Sequence, residues 1–181
     1  ENTHGTAEFF RLKHRLVRCL AEEHGFTLFA IEASMPEAER LNRYVLTGEG
    51  DPAALIAGMY FWTWRTEEVL AMVRWMRQHN EQGGHIEFHG FDMQSPGLAM
   101  RTAQDFVQAH APDLLATTAA AYAELRGQLM NAARNAQSGP PQLPTRLQAE
   151  IAAIRPALRQ RQAALAAAAG DSACAWTLQC A

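Results

Sequence analysis

Two short apolar runs constrain this chain more than anything else in it. Phe26-Thr27-Leu28-Phe29-Ala30-Ile31 and His85-Ile86-Glu87-Phe88-His89-Gly90-Phe91 carry aromatic and β-branched residues and are too short for buried helices, so both read as strands. Residues 32–84 between them carry helical patterns, which makes the two strands a parallel pair joined by a crossover. Two parallel strands alone do not make a stable sheet. The pattern therefore predicts an α/β fold with a parallel-type central sheet flanked by helices, of which this chain holds an incomplete portion.

The helices follow from spacing and punctuation. Phe9, Leu12, Leu16 and Leu20 recur at three- and four-residue intervals from about Ala7, an amphipathic helix that stops at Gly25. Ser34-Met35-Pro36-Glu37 has the form of a capping box and opens a helix reaching about Leu46 and ending near Gly48. Asp51-Pro52 starts a short helix. The aromatic stretch Tyr60-Phe61-Trp62-Thr63-Trp64 follows, and Thr66 caps a helix with Val69, Met72, Val73 and Met76 on one side. Ser95-Pro96 opens another. From about Pro112 the chain turns rich in alanine and glutamine, with Leu115, Tyr122, Leu125 and Leu129 on one helix. Leu147, Ile151, Ile154 and Leu158 lie on the next, across a Ser138-Gly139-Pro140-Pro141 connection. Pro156 is expected to kink or divide that second helix. These features predict an α/β core portion over residues 1–110 and a long helical hairpin over residues 111–181, both within one domain. Asp171 to Ala181 begins a further helical pattern, which adds to the expectation of a truncated domain.

Charge narrows the partners. The 181 residues are 48% hydrophobic and 19% charged, with a formal net charge of −3, which speaks against nucleic acid or an acidic membrane surface. No apolar run approaches the roughly 18 residues of a spanning helix. Cys19, Cys174 and Cys180 form neither a CxxC nor an even-numbered framework, so free thiols in a reducing, cytoplasmic setting are expected.

In an open α/β sheet, ligands bind beyond the carboxyl ends of the strands. Glu32 directly follows the first run, and Asp92 and Gln94 follow the second. Glu1 and His4 lie in a polar loop where a further strand would end. If the strands are neighbours, these groups converge on one rim. Each also has a plainer role: Glu1 as a terminal residue, His4 as a turn histidine, Glu32 as a helix cap, Asp92 and Gln94 as turn and cap residues. The chemistry such a rim offers is general-base hydrolysis, an imidazole taking a proton from water while carboxylates orient it. A nucleophilic alternative lacks a G-x-S-x-G elbow, and Cys19 lies inside a helix pattern. A metal centre of Glu1, His4 and Glu32 uses plausible ligand types but lacks paired-histidine spacing, so no cofactor is assigned and a divalent metal is left open. His85 and His89 stand about 13 Å apart on a strand at ~3.3 Å per residue and cannot grip one ion. Lys13 can reach the rim to hold an oxyanion, as can Arg15. Tyr60, Trp62 and Trp64 fill a core or line an apolar cleft.

Several of these blocks have a familiar order. Glu1-Asn2-Thr3-His4-Gly5-Thr6-Ala7-Glu8-Phe9-Phe10 resembles the G-E-x-[ST]-H-G-[ST]-x-E-[FY] motif of the erythromycin esterase family. Gly25-Phe26 through Ala30-Ile31-Glu32-Ala33-Ser34 is similar to that family's strand ending in glutamate. Asn42-Arg43-Tyr44-Val45, Phe61-Trp62-Thr63-Trp64-Arg65-Thr66-Glu67-Glu68 and Gly90-Phe91-Asp92-Met93-Gln94 match further blocks in order. The resemblance covers residues 1 to about 110 well and the remainder loosely. It implies hydrolysis of an ester, in some members the lactone of macrolide antibiotics, and with it antibiotic resistance; the alternatives are a metal-dependent hydrolase with Glu1, His4 and Glu32 as ligands, or a non-catalytic member that binds a small molecule. It also implies His4 as the base that activates water, Glu1 and Glu32 in the same polar centre, and Lys13 as a contact to substrate or developing charge. Asp92, Trp62 and Trp64 are lesser substrate-binding candidates. The glycine that precedes the motif glutamate is absent here. Members are roughly twice as long and draw further histidines from a C-terminal half, so that half is the expected partner, beside a small ester or lactone substrate.

Overall fold

A computed structural model describes residues 4–92, 95–135 and 141–181. It divides into two compact units, residues 1–95 and 96–181. In the first unit the order is α1 (Ala7–His24), β1 (Leu28–Ser34), α2 (Met35–Thr47), α3 (Pro52–Ala57), a 3₁₀ turn (Trp62–Trp64), α4 (Glu67–Glu81) and β2 (Glu87–Asp92). β1 and β2 pair in parallel, Leu28 opposite Glu87 and Ile31 opposite Gly90, as the crossover requires.

One face of the pair is the core. Ile31 and Ala33 of β1, Phe88 of β2 and Ile86 just before it bury against Ala38, Leu41 and Val45 of α2 and Val69, Val73 and Met76 of α4. The opposite face leaves Leu28 and Phe91 exposed. Side chains occupy the start of the outer edge of β2. Asn80 accepts from the Ile86 N–H at 2.8 Å and donates to its carbonyl at 2.9 Å, and Asn42 accepts from the Phe88 N–H at 2.9 Å. Glu87, between them, donates its N–H to the Thr27 carbonyl at 2.8 Å. By the same alternation the backbone groups of Leu28, Ala30 and Glu32 point away from β2, toward the outer edge of β1.

Local signals set most of the boundaries. Asp51 accepts from Ala53 N–H at 3.0 Å and Thr66 from Val69 N–H at 3.2 Å, the expected caps of α3 and α4. The capping box at Ser34 does not form. Ser34 donates to the Ser95 carbonyl at 3.5 Å, and Glu37 reaches across to accept from the Tyr60 N–H at 2.8 Å. Long-range partners won over the local pair.

The second unit is helical: α5 (Gly97–His110), a 3₁₀ turn (Pro112–Leu114), α6 (Leu115–Arg134), α7 (Thr145–Gln160), α8 (Gln162–Ala169) and α9 (Asp171–Cys180). The expected hairpin is the α6–α7 pair, but it is not alone. α5, α8 and α9 pack with it around Val107, Tyr122, Leu147, Leu158 and Cys174. Ser138, Gly139 and Pro140 of the expected connection lie outside the described residues. Pro156 does not divide α7, which runs unbroken to Gln160; the division falls at Arg161.

α1 departs from expectation in its facing. The row Phe9, Leu12, Leu16 and Leu20 is exposed, Leu12 at 52% and Leu16 at 54%. The side that packs carries Phe10, Val17 and Ala21, and an Arg11–Glu68 ion pair at 3.1 Å ties the helix to α4. On this side His14 is half-buried, its ring 5.5 Å from that of Trp75. Its Nε2 has no hydrogen-bond partner among the described residues. Burial, and secondarily the Arg18 charge, hold the imidazole below its ordinary value near 6.5. The unfolded chain therefore takes up a proton near pH 6.5 that the folded chain refuses, so stability falls as pH drops below that point. Measured by thermal melts at pH 7.5 and 5.5, His14→Phe should keep the ring contact and lose less stability on acidification than the native chain. Equal losses would contradict the assignment.

Candidate active site

The site begins with an irregularity in the sheet. From Ile31 opposite Gly90 to Ser34 opposite Asp92, β1 uses one more residue than β2. Glu32 sits in this bulge, within β1 and not beyond its end, and Asp92 is likewise the last residue of β2 and not the first after it. Bulges re-aim side chains, and Glu32 is exposed between buried Ile31 and Ala33. Gly90 makes the bulge possible. A Cβ there would lie 2.4 Å from the Ala33 carbonyl oxygen and 2.9 Å from the Ala38 Cβ, so only glycine lets β1 and α2 come this close.

Along the outer edge of β1 lies a cavity of about 320 Å³. Residues 29–32 of β1 form one wall, Phe10 and Lys13 of α1 a second, Val69 and Met72 of α4 a third, and Trp64 closes the end. The lining is apolar apart from Lys13 and Glu32, the composition of a small-molecule site at the lower end of the usual size. The Lys13 ammonium stands 5.2 Å from the Phe10 ring centre and 5.8 Å from that of Trp64. Both ring faces attract the cation. Phe10 and Trp64 meet edge to face, their centres 5.9 Å apart. The Trp64 indole N–H donates to the Glu32 carbonyl at 2.9 Å, which joins the aromatic turn to the bulge and satisfies an outward-facing backbone group.

The turn is itself held at both ends. Arg65 donates to the Met59 and Tyr60 carbonyls, and Glu37 accepts from the Tyr60 N–H. Its two tryptophans face opposite ways: Trp64 is 9% exposed and lines the cavity, whereas Trp62 is 62% exposed and lies outside the lining. The His4 ring approaches Trp62 edge-on at 6.3 Å.

Of the residues singled out by sequence, Lys13, Glu32 and Trp64 share the cavity. His4 and Trp62 lie together on the exposed side of the same aromatic turn. Asp92 is opposite Ser34 at the end of β2 and is not among the cavity's lining residues. Glu1 and Gln94 lie outside the described residues.

A second cluster went unread. The Glu87 carboxylate bridges His85 at 3.2 Å and His89 at 2.9 Å, all on one side of β2. The hydrogen bond from His89 holds Glu87 below the usual carboxylate range, whereas burial raises the neighbouring Glu39 of α2. The i, i+2, i+4 alternation of a strand was the signal for this row.

Residues 21–181 match the family model described as erythromycin esterase. Among curated proteins, "Putative hydrolase YbfO" of Bacillus subtilis (strain 168) is 33% identical over 97 residues, 52% of this chain and 21% of that protein. Erythromycin esterase type II of Escherichia coli is 31% identical over 99 residues, 54% of this chain and 23% of that protein. Two solved structures align with 99% of this chain at 27% identity. One is a Bacillus cereus protein (TM-score 0.72, 43% of its chain) and the other is described as a succinoglycan biosynthesis protein (TM-score 0.66, 44% of its chain). The chain thus spans less than half the length of the solved relatives, and its matched stretch less than a quarter of the curated ones.

The bulge yields a test with its own control. Gly90→Ala should cost about 1–3 kcal/mol in urea unfolding, the usual cost of overpacking. Gly127→Ala, in α6 with open space around it, should instead stabilise by up to about 1 kcal/mol. A neutral Gly90→Ala would mean that the bulge does not depend on that close approach.

Proposed function

The chain belongs to the erythromycin esterase family, and from that premise we propose that it carries part of the active site of an ester or lactone hydrolase, with His4 as general base. The observation that supports this reading is the cavity beside the Trp62–Trp64 turn, where Lys13 and Glu32 are the polar groups of an otherwise apolar wall. In the proposed reaction, His4 takes a proton from water as the oxygen attacks the ester carbonyl. Lys13 stabilises the tetrahedral oxyanion. Collapse expels the alcohol oxygen, which recovers the proton from His4, leaving a carboxylic acid and an alcohol. Glu32, with Glu1, orients the water or the imidazole, and Trp64 presents an apolar face to the acyl group. Asp92 and Trp62 are substrate contacts further out. The macrolide lactone and its link to antibiotic resistance are the most specific form of this proposal. Simple esters and smaller lactones belong to the same substrate class.

The greater length of the relatives bears on the site. A further strand from the rest of a longer chain would pair with the outward backbone groups of Leu28 and Ala30, closing the cavity on its open side and bringing other side chains to the rim. The exposed apolar row of α1 would be covered in the same step.

The experiment is a hydrolysis assay on the protein of the complete reading frame, with macrolides, smaller lactones and simple esters as substrates. His4→Ala should lower kcat/KM at least about a hundredfold while leaving thermal stability nearly unchanged. The native rate should fall as pH drops through the histidine range, because an imidazolium cannot accept another proton. Undiminished activity in His4→Ala, or a flat profile between about pH 5 and 8, would remove His4 from the role of base. Activity lost on chelation and restored by zinc would replace the metal-free reading.

A further inference from the structure

The last turn of α1 holds a donor set that takes no part in the hydrolytic proposal. Cys19 and Glu23 stand one turn apart on the same side of the helix, and His24 is its final residue. The thiol sulfur, a carboxylate oxygen and an imidazole nitrogen all lie within 4.8 Å of one another, among the described residues the three-donor cluster that meets this distance. Gly25, at φ 69°, ends the helix there. Its N–H turns back to the Leu20 carbonyl, as does that of Phe26 at 3.0 Å, which fixes the terminus on which His24 sits.

Three observations point to a cation. Three other helical glutamates pair with an arginine four residues before them: Glu22 with Arg18, Glu81 with Arg77 and Glu150 with Arg146. Glu23 has a thiol in that position, which offers it no charge but shares a ligand's preferences. The carbonyl end of a helix carries partial negative charge, which favours a cation and opposes an anion. Sulfur, imidazole nitrogen and carboxylate oxygen together are the mixed donor set of zinc, whose open sites use three protein ligands and a water.

We propose that Cys19, Glu23 and His24 bind a zinc-class divalent cation, with water in the fourth position. Zinc–donor bonds of roughly 2.0–2.3 Å bring tetrahedral ligands within about 3.8 Å of one another, so small side-chain rotations close the observed set. On binding, the Cys19 thiol loses its proton to solvent, the sulfur–metal bond forms and no redox change occurs. The cation clamps the α1 terminus from which the chain enters β1. At ~1.5 Å per residue Cys19 lies about 9 Å and His24 about 16 Å along α1 from Lys13, and none of the three donors lines the cavity assigned to hydrolysis.

Cobalt(II) is the probe, titrated into the reduced chain. One equivalent should give thiolate-to-cobalt charge-transfer absorption with tetrahedral d–d bands, displaced by zinc. Cys19→Ser should abolish the charge-transfer band, and Cys174→Ser and Cys180→Ser should retain it. Glu23→Gln and His24→Gln should each weaken zinc binding by at least the roughly tenfold that losing a mere outer-shell partner costs. Zinc should raise the Tm of the native chain and leave that of Cys19→Ser unmoved. No charge-transfer band, a band that survives Cys19→Ser, or unchanged affinity in both Glu23→Gln and His24→Gln would overturn the proposal.

Discussion

The side-chain amide of Asn80 stands where the backbone of a neighbouring strand would stand. With Asn42 it makes three hydrogen bonds to the outward-facing groups of Ile86 and Phe88, where the outer edge of β2 begins, and these are bonds a neighbouring strand would otherwise make. Asn80 also donates to the Val45 carbonyl at 3.1 Å, so the same amide fastens α2 to α4. Side chains that occupy part of a strand edge hinder further pairing there. The outward backbone groups of Leu28 and Ala30 lie on the far edge of β1, and residues 29–32 of β1 line the cavity. The candidate site thus sits beside β1, on the side away from these amides.

The α1 helix shows why a periodic pattern identifies an element without orienting it. Phe9, Leu12, Leu16 and Leu20 form a clean stripe, but Phe10, Val17 and Ala21 form a second one on another side. A helix apolar on two sides satisfies the same spacing rule whichever side meets the core. The packing partners decide, and here the core that contains Trp64 and the buried side of α4 takes Phe10, Val17 and Ala21. In the strands, the apolar runs revealed parallel β1 and β2 but placed both too early in the chain, because Glu32 and Asp92 end the hydrophobic pattern while the backbone pairing runs on to Ser34 and Asp92.

The candidate site was legible in its residue types and not in its connections. Lys13, Glu32 and Trp64 were separate candidates on a helix, at a strand end and in an aromatic stretch. That they share a cavity depends on a one-residue bulge, and register shifts leave no trace in hydrophobic alternation. Gly90 was the only local sign, since a glycine inside a strand pattern marks a bulge or a close backbone approach. The indole N–H of Trp64 bonding the Glu32 carbonyl links residues 32 apart in sequence, beyond the reach of any local rule. The three donors at the end of α1 escaped for another reason. Their i, i+4, i+5 spacing matches none of the histidine-pair metal patterns.

The setting of Lys13 and Glu32 bears on how the proposed reaction would gain rate. Only interactions stronger in the transition state than in the bound substrate accelerate a reaction. A neutral ester entering this cavity meets one cation and one carboxylate whose charges cancel overall, so the ground state gains little electrostatic attraction. In the proposed reaction the carbonyl becomes an oxyanion, and its attraction to the Lys13 ammonium, which stands near the aromatic faces of Phe10 and Trp64, would rise sharply. An arginine at the same position would spread its charge over a planar fork suited to a carboxylate, binding the acid product more firmly than the substrate. In the proposed reaction a point charge on a flexible stem would favour the intermediate over both.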